Sequence, residues 1–133
     1  MAVARQPDPR AFIPPGTKVL VLEDDSMVAD LLTDMLGGFG CTIIGPCASA
    51  DAALPLIDCA GPAIALLDVH LGPGRDGYAV ADVLAARDVP FAFVTGNGGL
   101  VHHPRHADRP VLQKPFHMTT LIHLVGALAR AAA

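Results

Sequence analysis

Charge is scarce in this chain, and so is cysteine. Only 17% of its 133 residues are Asp, Glu, Lys or Arg, with nine basic residues against thirteen acidic ones. The resulting net charge of -4 leaves no basic stripe of the kind a nucleic-acid footprint needs. No apolar run approaches the ~18 residues of a membrane span. The N-terminus, "MAVARQPDPRAFIPPG", lacks the apolar core of a secretory signal. Cys41, Cys47 and Cys59 make an odd number with no C-x-x-C, so no disulfide framework is indicated. Nucleic acid and membrane are thus excluded as expected partners, and the expected location is cytoplasmic.

What the chain does have is apolar sequence, 52% of it, and a length that suits one domain around one core. Pro7, Pro9, Pro14 and Pro15 mark residues 1–16 as a flexible or extended lead-in, with a single folded unit over 17–133. From Thr17 onward, strands and helices alternate. "KVLVL" (18–22) reads as a strand, and Asp25 or Ser26 can cap the helix after it. Val28, Leu31, Leu32, Met35 and Leu36 fall on one helical face, and Gly37 and Gly38 are expected to stop it. "CTIIG" (41–45) is a second strand. Ser49 opens a helix through Ala53, Leu54 and Ile57, where Pro55 is expected to kink or shorten it. "AIALLD" (63–68), "PFAFVT" (90–95) and the short "PVLQ" (110–113) complete five strands. Helices are predicted over Tyr78–Arg87 and over Met118–Arg130, the last with Leu121, Leu124, Val125 and Leu128 inward. Strands apolar on both sides and separated by helices define an α/β fold. The expectation is a five-stranded parallel sheet with helices on both faces, flavodoxin-like and doubly wound.

In such a sheet ligands bind beyond the carboxyl ends of the strands. Those ends carry Glu23, Asp24 and Asp25 after the first strand and Asp68 at the third. Thr95 and Gly96 end the fourth, and Lys114 and Pro115 follow the fifth. Gathered carboxylates repel one another unless a cation intervenes. Mg²⁺ suits an all-oxygen set and binds through one or two carboxylates and several waters. Asp24 and Asp68 are the direct candidates and Glu23 a water-mediated one. Asp68 is then placed to act as a carboxylate nucleophile toward a phosphoryl group. Lys114 would neutralise its charge, and the Thr95 hydroxyl would donate to one of its oxygens. Gly72, Gly74 and Gly77 would keep the following loop close to the metal. Asp25 reads as a helix-capping acid.

The acidic pair Glu23–Asp24, "LLDVHL" around Asp68, "FVTG" with Thr95 and "LQKPF" with Lys114 together resemble the receiver domains of two-component response regulators. The resemblance covers about residues 17–130. It implies Asp68 as phosphoacceptor, Thr95 and Lys114 as switch residues, and the His70 backbone carbonyl as a further metal ligand. It also implies a cis peptide at Lys114–Pro115, and a histidine kinase or phosphotransfer protein as donor. Two departures stand out. Val111 occupies the place where receivers carry an aromatic switch residue. Residues 96–109, "GNGGLVHHPRHADR", lack a helical apolar period, so the fourth helix is expected to be short or absent. "PFAFVTG" followed by glycines resembles the FAT GUY subgroup, stand-alone regulators that work with HWE-type histidine kinases. No output domain follows Arg130 in this sequence, so a single-domain receiver that switches a downstream protein partner is expected.

Two other readings compete. A haloacid-dehalogenase-like phosphatase also uses Asp, Thr or Ser, Lys and Mg²⁺, but carries D-x-D on its first strand, whereas Asp68 sits on the third and precedes Val69 and His70. A phosphorylation-independent interaction module would tolerate a decayed site, and here Glu23, Asp24, Asp68, Thr95 and Lys114 are all present. His102, His103 and His106 have zinc-like spacing without a predicted helix or nearby cysteine, and read as a polar surface loop. Val111 reads as core packing, and Cys41 and Cys47 as core or surface thiols.

Overall fold

The computed structural model describes residues 13–69, 77–96 and 103–133. Five strands, β1 (Lys18–Leu22), β2 (Thr42–Cys47), β3 (Ile64–Asp68), β4 (Phe91–Thr95) and β5 (Val111–Gln113), form one sheet in the order β2-β1-β3-β4-β5. All four pairings are parallel. Strand order reverses at β1/β3, which is where an open α/β sheet leaves a crevice. Every residue of β3 and β4 is buried, because both faces of the sheet are covered. The doubly wound architecture expected from the alternation is therefore the one observed.

The helices are α1 (Ser26–Gly38), α2 (Ala50–Ala60), α3 (Gly77–Ala86) and α4 (Met118–Ala132). On one face Leu32 and Leu36 of α1 and Leu121, Val125 and Leu128 of α4 pack against Val19, Val21, Ile64, Leu66 and Val94. On the other, Ala53 and Ile57 of α2 and Val80 and Leu84 of α3 pack against Leu20, Leu22, Leu67, Phe91 and Phe93. Each fully buried Leu or Ile contributes roughly 1.5–3 kcal/mol from burial alone. Ile13, at the end of the expected lead-in, is buried in the α1/α4 core, and Gly16 N–H donates to the Gly40 carbonyl at 2.8 Å.

Local expectations are met with some corrections. Asp25 is the N-cap of α1: its Oδ1 accepts from Met27 N at 3.0 Å and from Val28 N at 3.4 Å. Gly37 and Gly38 do not stop that helix but form its last residues, and Phe39 caps it. Leu31, assigned to the buried face by its period, is exposed. Pro55 lies inside α2 without dividing it. Pro55 and Asp51 both face solvent. On α4, Ile122 is buried while Leu124 is only partly covered. Cys41 and Cys47 are buried, and burial pushes both thiols up from their ordinary pKa; Cys59 is exposed.

The largest departure from a regular alternation lies between β4 and β5. Among the described residues this connection holds a single 3-10 turn, Pro104–His106, and no α-helix. The expected short or absent fourth helix concerned residues 96–109, of which 97–102 lie outside the described residues. The histidines here are not simply a polar surface loop, however. His106 is 3% exposed, packed edge-on against Phe91 and Phe93, and its Nε2 lies 2.8 Å from Asp82 Oδ1. Val111, in contrast, is exposed on the edge strand rather than packed in the core. His70, Gly72, Gly74, Asn97 and His102 lie outside the described residues.

Candidate functional site

The register of the sheet brings the polar residues to one rim. Leu22 pairs with Leu67, so Glu23 and Asp68 follow at adjacent levels. Asp68 pairs with Val94, the residue before Thr95, and Thr95 pairs with Gln113, the residue before Lys114. The Lys114 N–H donates to the Thr95 carbonyl at 2.8 Å, which ties the end of β5 to the end of β4. Lys114–Pro115 is cis, as the resemblance implied; Gly45–Pro46 is cis as well.

A bulge supports the first acidic residue. The β1/β2 register shifts between Leu20 and Leu22, and Glu23 N–H donates to the Cys47 carbonyl at 2.8 Å. Gly45 makes the bulge possible. Its φ of +100° favours glycine, and a Cβ there would sit 2.7 Å from Cys47 N and 3.1 Å from the Val21 carbonyl. Across the pocket, Gly77 opens α3 so close to β3 that a Cβ would overlap the Asp68 backbone oxygen. The loop glycine singled out in the sequence thus has a steric reason.

Glu23, Asp68 and Thr95 are buried, and Asp24 is exposed at the mouth. Carboxylate oxygens of Glu23, Asp24 and Asp68 all lie within 4.8 Å of one another. The Lys114 ammonium enters this cluster, 2.6 Å from Glu23 Oε1 and 3.4 Å from Asp68 Oδ2. Glu23 Oε2 accepts from the Asp25 N–H at 3.1 Å. Burial drives the Glu23 carboxyl up to about 7. Lys114 and the Asp25 N–H pull it back, and Asp68 pushes it further up. Lys114 loses hydration, which lowers its pKa, but its bond to Glu23 and the charge of Asp68 outweigh this, and the ammonium ends above its ordinary value. Glu23 and Asp68 therefore share one resident ammonium, with the Asp24 carboxylate beside them. The direct Glu23–Lys114 pairing was not foreseen from the sequence, where Glu23 was set beside the metal and Lys114 beside a phosphoryl group.

The donor set suits a hard divalent ion. It is all oxygen, the carboxylate oxygens are close enough to share one cation, and one of the three acids faces solvent, as a site that retains metal-bound water requires. Glu23, Asp24 and Asp68 are the residues that would hold Mg²⁺. Glu23, Asp24, Asp68, Thr95 and Lys114 are thus brought to one rim, while the His70 carbonyl falls outside the described residues.

This sheet order, with an acidic rim at the β1/β3 reversal and a lysine after β5, is that of a signalling receiver. The chain belongs to the response regulator receiver domain family, whose model matches residues 19–126. The solved structure of SdrG from Sphingomonas melonis Fr1 is 39% identical, covers 85% of this chain and 96% of its own, and superposes with a TM-score of 0.75. The BeF3-activated conformation of SdrG from Pseudomonas melonis Fr1 is 38% identical over 87% of this chain and 99% of its own, with a TM-score of 0.71. The phyllosphere-induced regulator PhyR of Methylorubrum extorquens is 31% identical over 82 residues, which span 60% of this chain but only 31% of that protein. With the family in place, the haloacid-dehalogenase alternative falls away. Among the described residues no helix is long and apolar enough to cross a membrane.

Proposed function

We propose that residues 17–133 act as a phosphorylation-controlled switch, with Asp68 accepting a phosphoryl group from a histidine kinase or phosphotransfer protein. The observation that carries this reading is the buried Asp68 carboxylate within reach of two further acids and one ammonium. In the transfer, an Asp68 carboxylate oxygen bonds to phosphorus as the donor's bond to phosphorus breaks, and the electron pair leaves with the donor nitrogen. Positioning and charge neutralisation are the main demands of such a step. Mg²⁺, held by Glu23, Asp24 and Asp68, would supply charge neutralisation at the phosphoryl oxygens. The resemblance adds the His70 carbonyl to that set. Lys114, already 3.4 Å from Asp68, needs only to exchange Glu23 for a phosphoryl oxygen. Thr95 donates its hydroxyl to another.

The finer assignments rest on the resemblance. "PFAFVTG", together with the similarity to SdrG, supports a FAT GUY-type receiver served by an HWE-type kinase in the cytoplasm. The match to 96% of the SdrG chain supports an SdrG-like receiver. The output is a change in protein–protein contacts. Incubation with a small phosphodonor and Mg²⁺, read by intact mass, tests the proposal. One acid-labile adduct is expected, needing Mg²⁺ and lost in Asp68→Asn. An adduct that persists in Asp68→Asn, or steady turnover of a generic phosphatase substrate, would contradict it.

A further inference from the structure

Gly45 and Pro46 interrupt β2 just below the rim, and core packing does not account for them. Both are exposed, between buried Ile44 and buried Cys47. In a regular strand, residues three apart face opposite sides, yet Ile44 and Cys47 pack in the same core, on the α2/α3 side. One extra residue resolves this. Leu20 pairs with Ile44 and Leu22 with Cys47, so a step of two residues on β1 is matched by three on β2. A regular register would set Pro46 against Leu22, and proline has no N–H to give a ladder. The bulge passes over Pro46 and sets Cys47 there instead, where its carbonyl accepts the Glu23 N–H at 2.8 Å. Position 45 is closed to any side chain: φ is +100°, and a Cβ would meet Cys47 N at 2.7 Å and the Val21 carbonyl oxygen at 3.1 Å.

Glu23 depends on that fastening for its place. Val21, Leu66 and Leu112 all lie in the α1/α4 core. Two residues further on, alternation brings Glu23, Asp68 and Lys114 to the same face at the rim, and their side chains meet there. Glu23 is 2% exposed, so its carboxylate has no route to the cluster through solvent. The level of its backbone sets where its oxygens fall among those of Asp24 and Asp68. We infer that Gly45 is a positioning residue for the metal site: through the Cys47 carbonyl the bulge fixes the Glu23 backbone, and through Glu23 it sets the affinity of the rim for a divalent cation. This rests on the proposed function. Gly45 itself has no side chain to offer a ligand; its effect passes through Cys47 and then Glu23.

The test is a titration with Mg²⁺ alone, followed by amide NMR shifts. Gly45→Ala should bind the ion about tenfold more weakly than the wild type, the scale of losing the support behind a metal ligand. Pro46→Ala supplies the N–H that a regular register lacks and lets that register compete with the bulge. It should weaken binding about threefold, as for one loosened hydrogen bond. Gly61→Ala is the control. Its φ of +62° carries a similar backbone cost, but a Cβ there has no neighbour within 4 Å, and the residue precedes β3 at the other end of the sheet. Its Mg²⁺ affinity should match the wild type. A double-mutant cycle separates positioning from a merely structural role: in a Glu23→Gln background the effect of Gly45→Ala should shrink to about twofold or less. An undiminished loss in that background, or an equal loss in Gly61→Ala, overturns the inference while the proposed function stands. If Gly45→Ala does not fold, Pro46→Ala carries the same cycle, and unchanged affinity there overturns the inference equally. Failure of the wild type to bind Mg²⁺ at all overturns both.

Discussion

The acidic rim and the 103–109 segment, a strap between β4 and β5, both bury ionisable side chains, and they solve the cost of doing so in different ways. At the rim, Glu23 and Asp68 are buried together, with one ammonium to share between them. The compensation is incomplete, and the Glu23 carboxyl is driven up to about 7. At the strap, His106 is just as buried, but its partner Asp82 sits half in water and is satisfied by Arg105 as well. The rim is an electrostatic arrangement left short of positive charge, whereas the strap is a closed pairing that mainly fills space. A difference of this kind predicts that an added cation matters at one site and not at the other.

Lys114→Ala should separate the two most sharply. It leaves Glu23 and Asp68 buried without a cation, a change on the order of 3 kcal/mol in stability. Thermal melts should show this loss, and millimolar Mg²⁺ should restore a good part of it by binding only the folded chain. His106→Ala opens a cavity beside Phe91 and Phe93 and should cost about 2 kcal/mol. The same melts should show no rescue by Mg²⁺. Gly77→Ala should cost about as much, because the new methyl displaces backbone next to Asp68, and it should also slow phosphodonor uptake.

Glu23→Gln is the mildest change and the most diagnostic for charge. The folded carboxyl titrates near 7 against an ordinary value of 4.5, so the folded state holds more protons between those limits. In the metal-free wild type this contribution makes stability fall as pH rises from 4.5 to 7, with the full cost present above 7. Denaturant midpoints measured across that window should lose this slope in Glu23→Gln.

The two regions were not equally legible from the chain. Asp68, Thr95 and Lys114 each end or follow a recognisable apolar strand, so a parallel sheet sends them to the same rim without any knowledge of side-chain contacts. The Glu23–Lys114 pairing was not readable, because it depends on which of three carboxylates a flexible lysine reaches. His106 gave less still. It lies in a stretch with no period, and its partner Asp82 is 24 residues away on another element. Apolar periodicity also overstated the reach of a helical face, as exposed Leu31 shows. Gly37 and Gly38 read as a stop, yet the helix runs to Gly38 and its end is fastened by Phe39 N–H donating back to Met35 and Leu36.

The convergence of the rim on a single modifiable acid is tested most directly by fluorine NMR of the beryllofluoride adduct. The account predicts one set of bound fluorine resonances at 1:1 stoichiometry, appearing only with Mg²⁺, absent in Asp68→Asn and displaced in Lys114→Ala. Bound resonances that survive in Asp68→Asn, or that form equally well without Mg²⁺, would contradict it.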